Sequence, residues 1–331
     1  MSMKVLERRF PLGSLPTPLE KLHRLSGKYA PYQLYIKRDD NTGLASGGNK
    51  TRKLEFLIEE AIINGYDTTI SAGAQQSNHC RQTAAASASA GLQCHLLLGG
   101  SEPKEYEGNL LLSSLLGAKI HFCGKNRKGE DMPALMTELE RQGRRPFPIP
   151  YGGSNPRGVL GFVLAVKELE EQLESLGLQM DHIFFASSSG GTQAGLSLGL
   201  ELFELESRLH AISIDKEDTH GRSLEARVYE LVKGAAELLG FETKITPEEI
   251  ELNHQYDGAG YGVLTTGELR AIKELAQEEG ILLDPVYTGR AWRALADHLE
   301  QEKLALGSNI LFWHTGGLPS LFGYMSSLSM A

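Results

Sequence analysis

The segment HIFFASSSGGTQAGLSLGLELF at residues 182–203 decides the fold class, because an apolar run, a glycine-rich turn and a helical pattern follow one another directly. The same order of strand, tight turn and helix recurs at three further places. These are TTISAGAQQSNHCRQTAAASASAG at 68–91, CHLLLGG at 94–100 and NILFWHTGGLPSLFGY at 309–324. This repetition predicts parallel α/β sheets built from right-handed crossovers. In such sheets ligands bind beyond the carboxyl ends of the strands, so the turns are where chemistry is expected.

The size and composition of the chain indicate a two-domain globular protein. A chain of 331 residues exceeds the length at which one hydrophobic core usually stops growing, so we expect two domains with a cleft for a small molecule between them. Hydrophobic residues make up 41% and charged residues 23%, which is ordinary globular usage. No apolar stretch approaches the roughly 20 residues that span a bilayer, so we expect no membrane partner.

Charge and cysteine content exclude several classes of function. The formal net charge of -9 argues against a nucleic-acid partner, and we interpret the basic run GKNRKG at 124–129 as a solvated turn. Cys80, Cys94 and Cys123 are odd in number and contain no CxxC pair, which predicts reduced thiols and no metal site. The first residues show no secretion signal, so the expected location is the cytoplasm.

Lys50 stands in an unusual position for a structural lysine. It follows Gly47, Gly48 and Asn49 and precedes an amphipathic pattern, which places it at a helix start, where the helix dipole disfavours cations. A lysine in that field, or desolvated in a cleft, is shifted towards the neutral amine that Schiff-base chemistry requires. A surface lysine is the alternative, and this segment alone does not decide between the two.

The turn SSSGGTQAG at 187–195 can bind an anion, because backbone N–H groups converge at a helix start and hydroxyls add donors. No lysine follows its glycines and it lacks the GxGxxG pattern, so neither a Walker loop nor a dinucleotide site is indicated. For Ser77 and Asn78, in the turn before an alanine-rich helix, helix capping is the favoured interpretation. For Tyr256, Tyr261 and Tyr287 it is packing. His314 is read as a hydrogen-bonded core residue.

Two stretches are predicted in less detail. Residues 101–150 predict a helix, a strand and a second helix, while the glutamate-rich residues 215–260 predict mostly helix.

Taken together, these segments resemble the fold-type II enzymes that use pyridoxal phosphate (PLP). Within them, the chain is similar to the group containing D-cysteine desulfhydrase and 1-aminocyclopropane-1-carboxylate (ACC) deaminase. The resemblance is carried by LPTPLE at 15–20, YIKRDD at 35–40, SGGNKTRKLEF at 46–56, QSNHCRQTAA at 76–85, GGSNPRGVLGF at 152–162, SGGTQAG at 189–195, LLDPVYTGR at 282–290 and HTGG at 314–317.

The resemblance implies a fold and a division of the chain. The fold would consist of two three-layer α/β/α domains with mostly parallel sheets, similar to the tryptophan synthase β subunit. Residues 46–161 would form a smaller domain carrying the Schiff-base lysine, and 1–45 with 162–331 a larger PLP-binding domain. A homodimer is implied by the family alone.

The resemblance also implies roles for individual residues. Lys50 would hold PLP as a Schiff base, Asn78 would bond the phenolic oxygen of PLP, and Ser77 would face the substrate carboxylate or Cα. The phosphate would be bound by Ser189, Gly190, Gly191 and Thr192. Gln76, Tyr261 and Tyr287 would line the substrate pocket together with Ser77 and Asn78, and Lys50, Ser77, Tyr261 and Tyr287 would be catalytic.

The resemblance also places Thr288 and Thr315 among the cofactor-binding residues, next to the ring nitrogen of PLP, at positions where ACC deaminases carry a glutamate and an apolar residue. Hydroxyls hold no fixed negative charge, so the ring nitrogen of PLP would stay largely unprotonated and the ring would be a weaker electron sink. A weaker sink suits β-elimination better than opening a cyclopropane. The sequence therefore predicts α,β-elimination from a small amino acid, with D-cysteine first. ACC deamination, L-cysteate sulfo-lyase activity and a PLP-storage role without turnover are the alternatives.

Overall fold

Two β-sheets organise the chain. The computed structural model describes residues 4–214, 221, 223–257 and 260–329. The strands are β1 (Leu19–Lys21), β2 (Gln33–Arg38), β3 (Thr68–Gly73), β4 (Gln93–Leu98), β5 (Lys119–Phe122), β6 (Pro146–Pro148), β7 (His182–Ser187), β8 (Arg208–Ser213) and β9 (Asn309–His314). The larger sheet has the order β1-β2-β9-β7-β8 and the smaller one β5-β4-β3-β6. β1 pairs antiparallel with β2, and the other described strand pairs are parallel.

Helices connect these strands. They are α1 (Lys4–Glu7), α2 (His23–Lys28), α3 (Lys50–Ile63), α4 (Asn78–Ser89), α5 (Gly108–Leu115), α6 (Met132–Arg141), α7 (Pro156–Leu176), α8 (Gly191–Leu202), α9 (Leu224–Leu239), α10 (Thr266–Glu279), α11 (Thr288–Glu300), α12 (Leu318–Phe322) and α13 (Met325–Ser329). Within the described part of the chain, none of them is both long enough and apolar enough to cross a membrane.

Both faces of each sheet are covered by helices, as the alternation of buried side chains shows. In β9, Ile310 and Phe312 pack in one core with Trp292 of α11, whereas Leu311 and Trp313 pack in another with residues of α7 and α8. In β4, Leu96 and Leu98 share a core with α4 and α5, while Leu97 packs against α6. Successive strand residues point to opposite faces, so each sheet is the middle of three layers. The predicted three-layer α/β/α fold with mostly parallel sheets is confirmed.

Most of the predicted segments form the expected elements. Residues 182–203 contain β7 and α8, residues 68–91 contain β3 and α4, and residues 101–150 contain a helix, a strand and a helix in the expected order before β6. The prediction of mostly helix for 215–260 holds for α9 and is wrong for most of the residues that follow it. α9 ends at Leu239, where Gly240 adopts a left-handed conformation, and only two short 3-10 turns follow up to residue 257. Residues 215–220, 222 and 258–259 lie outside the described part.

The stretch after α9 covers the edge of the larger sheet instead of continuing as helix. The backbone N–H of Asn253 donates to the carbonyl of Ala211 at 2.9 Å, and the N–H of Ser213 donates to the carbonyl of Asn253 at 3.0 Å. These bonds satisfy backbone groups of the edge strand β8, which would otherwise be open to pairing with another chain. The glutamate content of this stretch predicted helix, and it gave no indication of the pairing with β8.

The positions of the strands agree with the predicted domain boundaries, whereas the position of one helix does not. The strands of the smaller sheet lie within residues 46–161, and those of the larger sheet lie outside that range. However, α7 runs across the predicted boundary between residues 161 and 162. The division into two domains stays a prediction, and a boundary before Pro156 would keep this helix whole.

Candidate active site

A pocket lies where the carboxyl ends of β3, β7 and β9 meet, so both sheets contribute to it. Its volume is about 580 Å³, including space open to solvent. Parallel sheets gather turns and helix starts at this end of their strands, as expected from the sequence. The lining residues are Asn49, Lys50, Ser77, Asn78, His79, Tyr151, Gly152, Ala186, Ser187, Ser188, Ser189, Gly190, Thr192, Tyr287 and Thr315.

Lys50 is the first residue of α3 and lines the pocket. The turn before it requires glycine, because Gly47 has φ +66° and a Cβ there would overlap the carbonyl oxygen of Asp40. Asn49 fixes the helix start, since its backbone N–H donates to the Thr315 carbonyl (3.0 Å) and its side-chain amide donates to the Thr192 hydroxyl (3.1 Å). Protein surrounds the amine, and this desolvation lowers the pKa of Lys50 from its usual 10.5 to about 8.

Lys53, which the sequence analysis did not single out, lies one helical turn from Lys50. It is fully buried, and its Nζ donates to the Ser154 hydroxyl at 3.2 Å and the Gly152 carbonyl at 3.3 Å. Burial first and then the charge of Lys50 hold its pKa well below the usual value. Within the described residues, neither lysine forms an ion pair with a carboxylate. The i, i+3 spacing was the available signal, because it places both lysines on one helix face.

The glycine-rich turn begins α8 as predicted. Gly190 adopts φ +83° at the N-cap, and the helix N-terminus opens towards the pocket through Ser189, Gly190 and Thr192. The Ser189 hydroxyl lies 2.8 Å from that of Ser154, another residue that the sequence analysis missed. Gly191 is not among the lining residues, and its N–H donates to the Ser154 hydroxyl at 3.1 Å.

Ser77 and Asn78 bring the start of α4 into the pocket. The Ser77 hydroxyl accepts from the Cys80 N–H at 3.2 Å, so the predicted capping role is confirmed, and Ser77 also lines the pocket. The amide oxygen of Asn78 accepts from the side chain of Asn109 at 2.9 Å, which leaves the Asn78 NH₂ group as its donor. Asn109 was missed because it lies 31 residues further along the chain.

Gln76 does not line the pocket. Its amide nitrogen donates to the Glu107 carbonyl at 3.1 Å and its amide oxygen accepts from the Asn109 N–H at 2.9 Å. These two hydrogen bonds hold the start of α5 in position. The geometry gives no support to the expectation that Gln76 contacts the substrate.

His79 is a buried neutral imidazole. Its Nε2 lies 2.8 Å from the Ser71 hydroxyl, which itself donates to the Ile149 carbonyl, so Nε2 carries the hydrogen. Burial and the two nearby lysines hold its pKa well below the usual value.

Tyr261 and Tyr287 are joined by a hydrogen bond of 2.6 Å between their hydroxyls. Tyr287 lines the pocket and Tyr261 stands behind it, with the two rings at 76° to each other. Burial raises the pKa of both well above the usual value, so both stay protonated at neutral pH. Tyr256, by contrast, is buried in the core of the larger sheet, as the packing interpretation predicted.

The two threonines at the predicted discriminating positions differ in their surroundings. Thr315 lines the pocket and its hydroxyl has no partner among the described residues. The Thr288 hydroxyl donates to the Asp284 carboxylate and accepts from the Asp284 N–H, both at 2.7 Å, and Thr288 does not line the pocket. The interpretation of Thr288 as a donor to the cofactor is therefore corrected, because its single hydroxyl hydrogen is already engaged. His314 is a buried, hydrogen-bonded residue, as predicted.

The chemistry of this pocket follows from its donors. The start of α8 offers a helix N-terminus and hydroxyls, with Lys53 Nζ close to Gly191, and together these suit a phosphate. Lys50 lines the same pocket and is an amine with no carboxylate partner in the described structure, which suits covalent attachment to a carbonyl carbon. A Cβ on Gly191 would lie 2.6 Å from the Ser154 hydroxyl oxygen and 2.9 Å from Lys53 Nζ, so glycine keeps this cradle open. A cofactor with both a phosphate and an aldehyde fits these residues.

Comparisons with known proteins agree with this fit. Residues 11–316 match the family model described as "Pyridoxal-phosphate dependent enzyme". The chain is 42% identical to a D-cysteine desulfhydrase of Klebsiella pneumoniae (strain 342) over 98% of its length and 99% of that protein. It is 41% identical to one of Serratia proteamaculans (strain 568) over 96% of each.

A crystal structure described as that of an ACC deaminase homologue superimposes with a TM-score of 0.89 at 38% identity, covering 99% of this chain and 98% of that one. The family model covers most of the chain and the relatives cover nearly all of it. The chain therefore belongs to the family of pyridoxal-phosphate dependent enzymes.

Proposed function

We propose that this enzyme is a lyase that converts D-cysteine and water into pyruvate, ammonia and hydrogen sulfide. The observation that carries the proposal is that Lys50, which has a lowered pKa and no carboxylate partner among the described residues, lines the same pocket as an anion cradle. The relatives named D-cysteine desulfhydrases support the choice of substrate, since they match almost the whole chain.

The residues present would hold PLP from several sides. Lys50 would bind its carbonyl carbon, and the Asn78 NH₂ group would donate to its phenolic oxygen. Ser189, Gly190 and Thr192 would surround the phosphate, with Lys53 adding a positive charge and Gly191 keeping the space open. Thr315 would offer its hydroxyl to the ring nitrogen. Thr288 would act indirectly, by holding the turn of Asp284 that begins α11.

When bound, PLP supplies an electron sink that acidifies the Cα–H bond of the amino acid. Lys50 would then be the base that takes the Cα proton, because burial lowers its pKa to about 8 and so makes its neutral form more accessible than that of an ordinary lysine. Ser77, held at the N-cap of α4, would contact the substrate carboxylate or Cα. The Tyr287 hydroxyl, oriented by Tyr261, would donate a hydrogen bond to the leaving sulfur. The Cβ–S bond breaks with its electron pair on sulfur, which leaves as hydrogen sulfide.

A keto-acid assay of the purified, PLP-loaded protein tests this proposal. The substrates to compare are D-cysteine, L-cysteine, β-chloro-D-alanine, L-cysteate and ACC. We expect pyruvate from D-cysteine and β-chloro-D-alanine, and little 2-oxobutyrate from ACC. Faster turnover of ACC than of D-cysteine would reverse the assignment, and a PLP-loaded protein that turns over none of the five would favour the storage role.

ACC deamination is the second candidate, because the solved structure of an ACC deaminase homologue is so similar to this chain. The pocket favours elimination over ring opening through Thr315, a neutral group at the position expected for the ring nitrogen. A variant Thr315→Leu that gains 2-oxobutyrate formation would favour this candidate.

We also propose that the enzyme is a homodimer located in the cytoplasm. It would bind a small amino acid as its substrate and would bind neither nucleic acid nor a membrane. Light scattering should then give about twice the chain mass of 36.2 kDa. A single-chain mass would contradict the dimer.

A further inference from the structure

The turn before Lys50 has a conformation that needs support from neighbouring groups. Its four residues from Ala45 to Gly48 all have positive φ, and two of them, Ala45 (+43°) and Ser46 (+74°), are not glycines. A left-handed backbone is unfavourable for a residue with a Cβ, so such a run persists only where the surrounding structure holds it. Lys50, the first residue of α3, follows this turn directly. The groups that hold the turn therefore also set the position of the Lys50 amine.

The side chain of Arg81, in α4, holds this turn. It is fully buried, and its Nη1 donates to the Ala45 carbonyl while its Nη2 donates to the Gly47 carbonyl at 2.9 Å. Burial lowers the pKa of Arg81 to about 10, so the guanidinium stays charged at neutral pH. Among the described residues, no carboxylate forms an ion pair with it. The guanidinium is instead satisfied by neutral oxygens of segments that lead to the pocket.

The third bond of the same guanidinium leads to Asn78. Arg81 Nε donates to the Asn109 amide oxygen at 2.7 Å, which fixes the orientation of that amide. The NH₂ group of Asn109 then donates to the Gln76 carbonyl at 3.0 Å and to the Asn78 amide oxygen at 2.9 Å. Asn109 is fully buried, so water does not compete for these bonds. Asn78 is therefore turned so that its own NH₂ group is the part that can donate into the pocket it lines.

The two groups that Arg81 holds would meet neighbouring atoms of PLP. In the proposed function Lys50 binds the carbonyl carbon, and Asn78 donates to the phenolic oxygen. These two substituents are on adjacent carbons of the PLP ring, so the amine and the amide must keep a fixed separation. A guanidinium is planar and presents its N–H donors in a rigid fork, which suits it to fix two segments relative to each other.

We propose that Arg81 is a positioning residue that fixes Lys50 and Asn78 relative to each other, through the turn at 45–48 and through Asn109. The proposal rests on the placement of PLP in the proposed function, and Arg81 itself does not line the pocket. Its charge also polarises the Asn109 amide and the bond that follows it. The Asn78 NH₂ group is thereby held as a donor that stabilises negative charge on the phenolic oxygen.

Asn109→Asp separates the orientation of Asn78 from the packing of the fold. The aspartate keeps an oxygen that accepts from Arg81 but replaces the NH₂ group by a second acceptor. The Asn78 amide must then turn over and present its oxygen to the phenolic oxygen. We expect PLP affinity, measured by equilibrium dialysis, to fall by about tenfold. The visible absorbance band of the bound cofactor should weaken, because the negative charge on the phenolic oxygen has lost its donor.

A double-mutant cycle with Asn78→Ala tests the path of this effect. If Asn109 acts through Asn78, N109D should change PLP affinity by less than about twofold in the N78A background. A loss as large in that background as in the wild type would show that the new carboxylate acts on the cofactor by another path, and this result would overturn the proposal.

The variants R81M and R81K test Arg81 itself, and K37M is the matched control. Lys37 is another fully buried cation. Its partners, which do not line the pocket, are the Thr17 carbonyl, Glu168 and Gln172. R81M should lower PLP affinity by more than N109D does, because it releases both the turn and Asn109. R81K should stay well below the wild type, since an ammonium lacks the fork. K37M should be less stable in urea but keep the wild-type PLP affinity and absorbance.

Wild-type affinity and absorbance in R81M would overturn the proposal, and so would full recovery in R81K, because charge alone would then suffice. A loss of affinity in K37M as large as in R81M would also overturn it, since both losses would then reflect stability. If R81M does not fold, N109D and its cycle with N78A still decide. These experiments measure cofactor binding and absorbance, whereas the proposed function is tested by keto-acid release. Failure of one is therefore distinguishable from failure of the other.

Discussion

Helix α3 carries two neighbouring sets of buried cations with opposite surroundings. Arg52 belongs to an ion-pair cluster with Asp39, Glu168 and Lys37. Lys50 lines the pocket and Lys53 bonds to Gly152 and Ser154, and neither has a described carboxylate partner. The three α3 cations lie within four consecutive positions of the chain. A buried charge that is paired contributes to structure, and one that is unpaired is pushed towards its neutral form and becomes reactive.

Each charged side chain of the ion-pair cluster contacts at least one member of opposite charge. Arg52 Nη2 lies 2.8 Å from both Asp39 Oδ1 and Glu168 Oε1, and Lys37 Nζ lies 2.5 Å from Glu168 Oε1. The indole N–H of Trp313 also donates to Asp39 at 2.9 Å. Although burial alone would raise it, the Arg52 and Lys37 charges and bonds bring the pKa of Glu168 down to about 2, and the two carboxylates raise that of Arg52. This cluster ties β2, α3 and α7 together.

The largest predicted effect is the loss of cofactor attachment and activity when Lys50, the reactive lysine, is removed. Lys50→Ala should lose the PLP absorbance band near 410–430 nm that is expected of the family. Activity should fall by about 10²–10⁴-fold or more, since the base for the Cα proton is gone. Absorbance spectra and keto-acid release measure both. A Lys50→Ala protein with full activity would remove the basis of the assignment.

Breaking the ion-pair cluster should instead cost stability. Arg52→Met leaves Asp39 and Glu168 buried without their main partner, which typically lowers the free energy of unfolding by about 3–5 kcal/mol. The control is Arg24→Met, which breaks an exposed pair with Glu278 and should cost at most about 1 kcal/mol. Urea unfolding of both variants gives the comparison. A loss no larger than that of the control would mean that the cluster is not structural.

In the cofactor-free protein, removing the Lys50 charge should raise the free energy of unfolding, whereas removing the Arg52 charge should lower it. Below its folded pKa of about 8, Lys50 is charged in both the folded and the unfolded state, and burying that charge is unfavourable. Lys50→Met should therefore raise the free energy of unfolding at pH 7, by roughly 1–3 kcal/mol. As pH rises from about 8 to 10.5, the wild type loses this charge in its folded state first, so the difference should shrink. Unfolding curves that show a destabilised Lys50→Met at pH 7 would contradict this reading.

The smallest predicted effect is a change in PLP affinity, and it tests the phosphate cradle of the pocket. Gly191→Ala would place a methyl group 2.6 Å from the Ser154 hydroxyl oxygen and 2.9 Å from Lys53 Nζ, in the space assigned to the phosphate cradle. We expect PLP affinity to fall by about tenfold, or about 1.4 kcal/mol. Gly27→Ala is the matched control, because nothing lies within 4 Å of its added Cβ. Equilibrium dialysis of PLP that gave equal affinities for the two variants would place the phosphate elsewhere.

Local patterns predicted those parts of the molecule that depend on neighbours in sequence. The apolar run and glycine turn at 182–203 were enough for β7 and α8, and the Gly-Gly-Asn-Lys order was enough to place Lys50 at a helix start. Within 215–260, the residues after α9 were not predicted, because the pairing of Asn253 with β8 is a long-range contact that helix propensity does not reveal. The i, i+3 spacing places Lys53 on the helix face of Lys50, but its burial depends on the turn at Gly152 about 100 residues away, which the local pattern does not show.

The same limit explains the errors within the site. Arg127, in the basic run at 124–129, was predicted to lie in a solvated turn, but its guanidinium carbon lies 4.6 Å from the ring centroid of Tyr261, which is distant in sequence. Thr288 looked available because the sequence does not show that Asp284, four residues earlier, folds back on its hydroxyl. Side-chain partners across turns and between sheets are decided by the assembled fold, and residue type alone does not specify them.

The central claim is that Lys50, and not its buried neighbour Lys53, is the lysine that holds PLP. Borohydride reduction of the PLP-loaded protein would fix the cofactor on its lysine, and peptide mass spectrometry would then locate the added mass. The two lysines are separable in fragment spectra because Thr51 and Arg52 lie between them. The account predicts that the label is on Lys50, and a label on Lys53 or on any other lysine would contradict it.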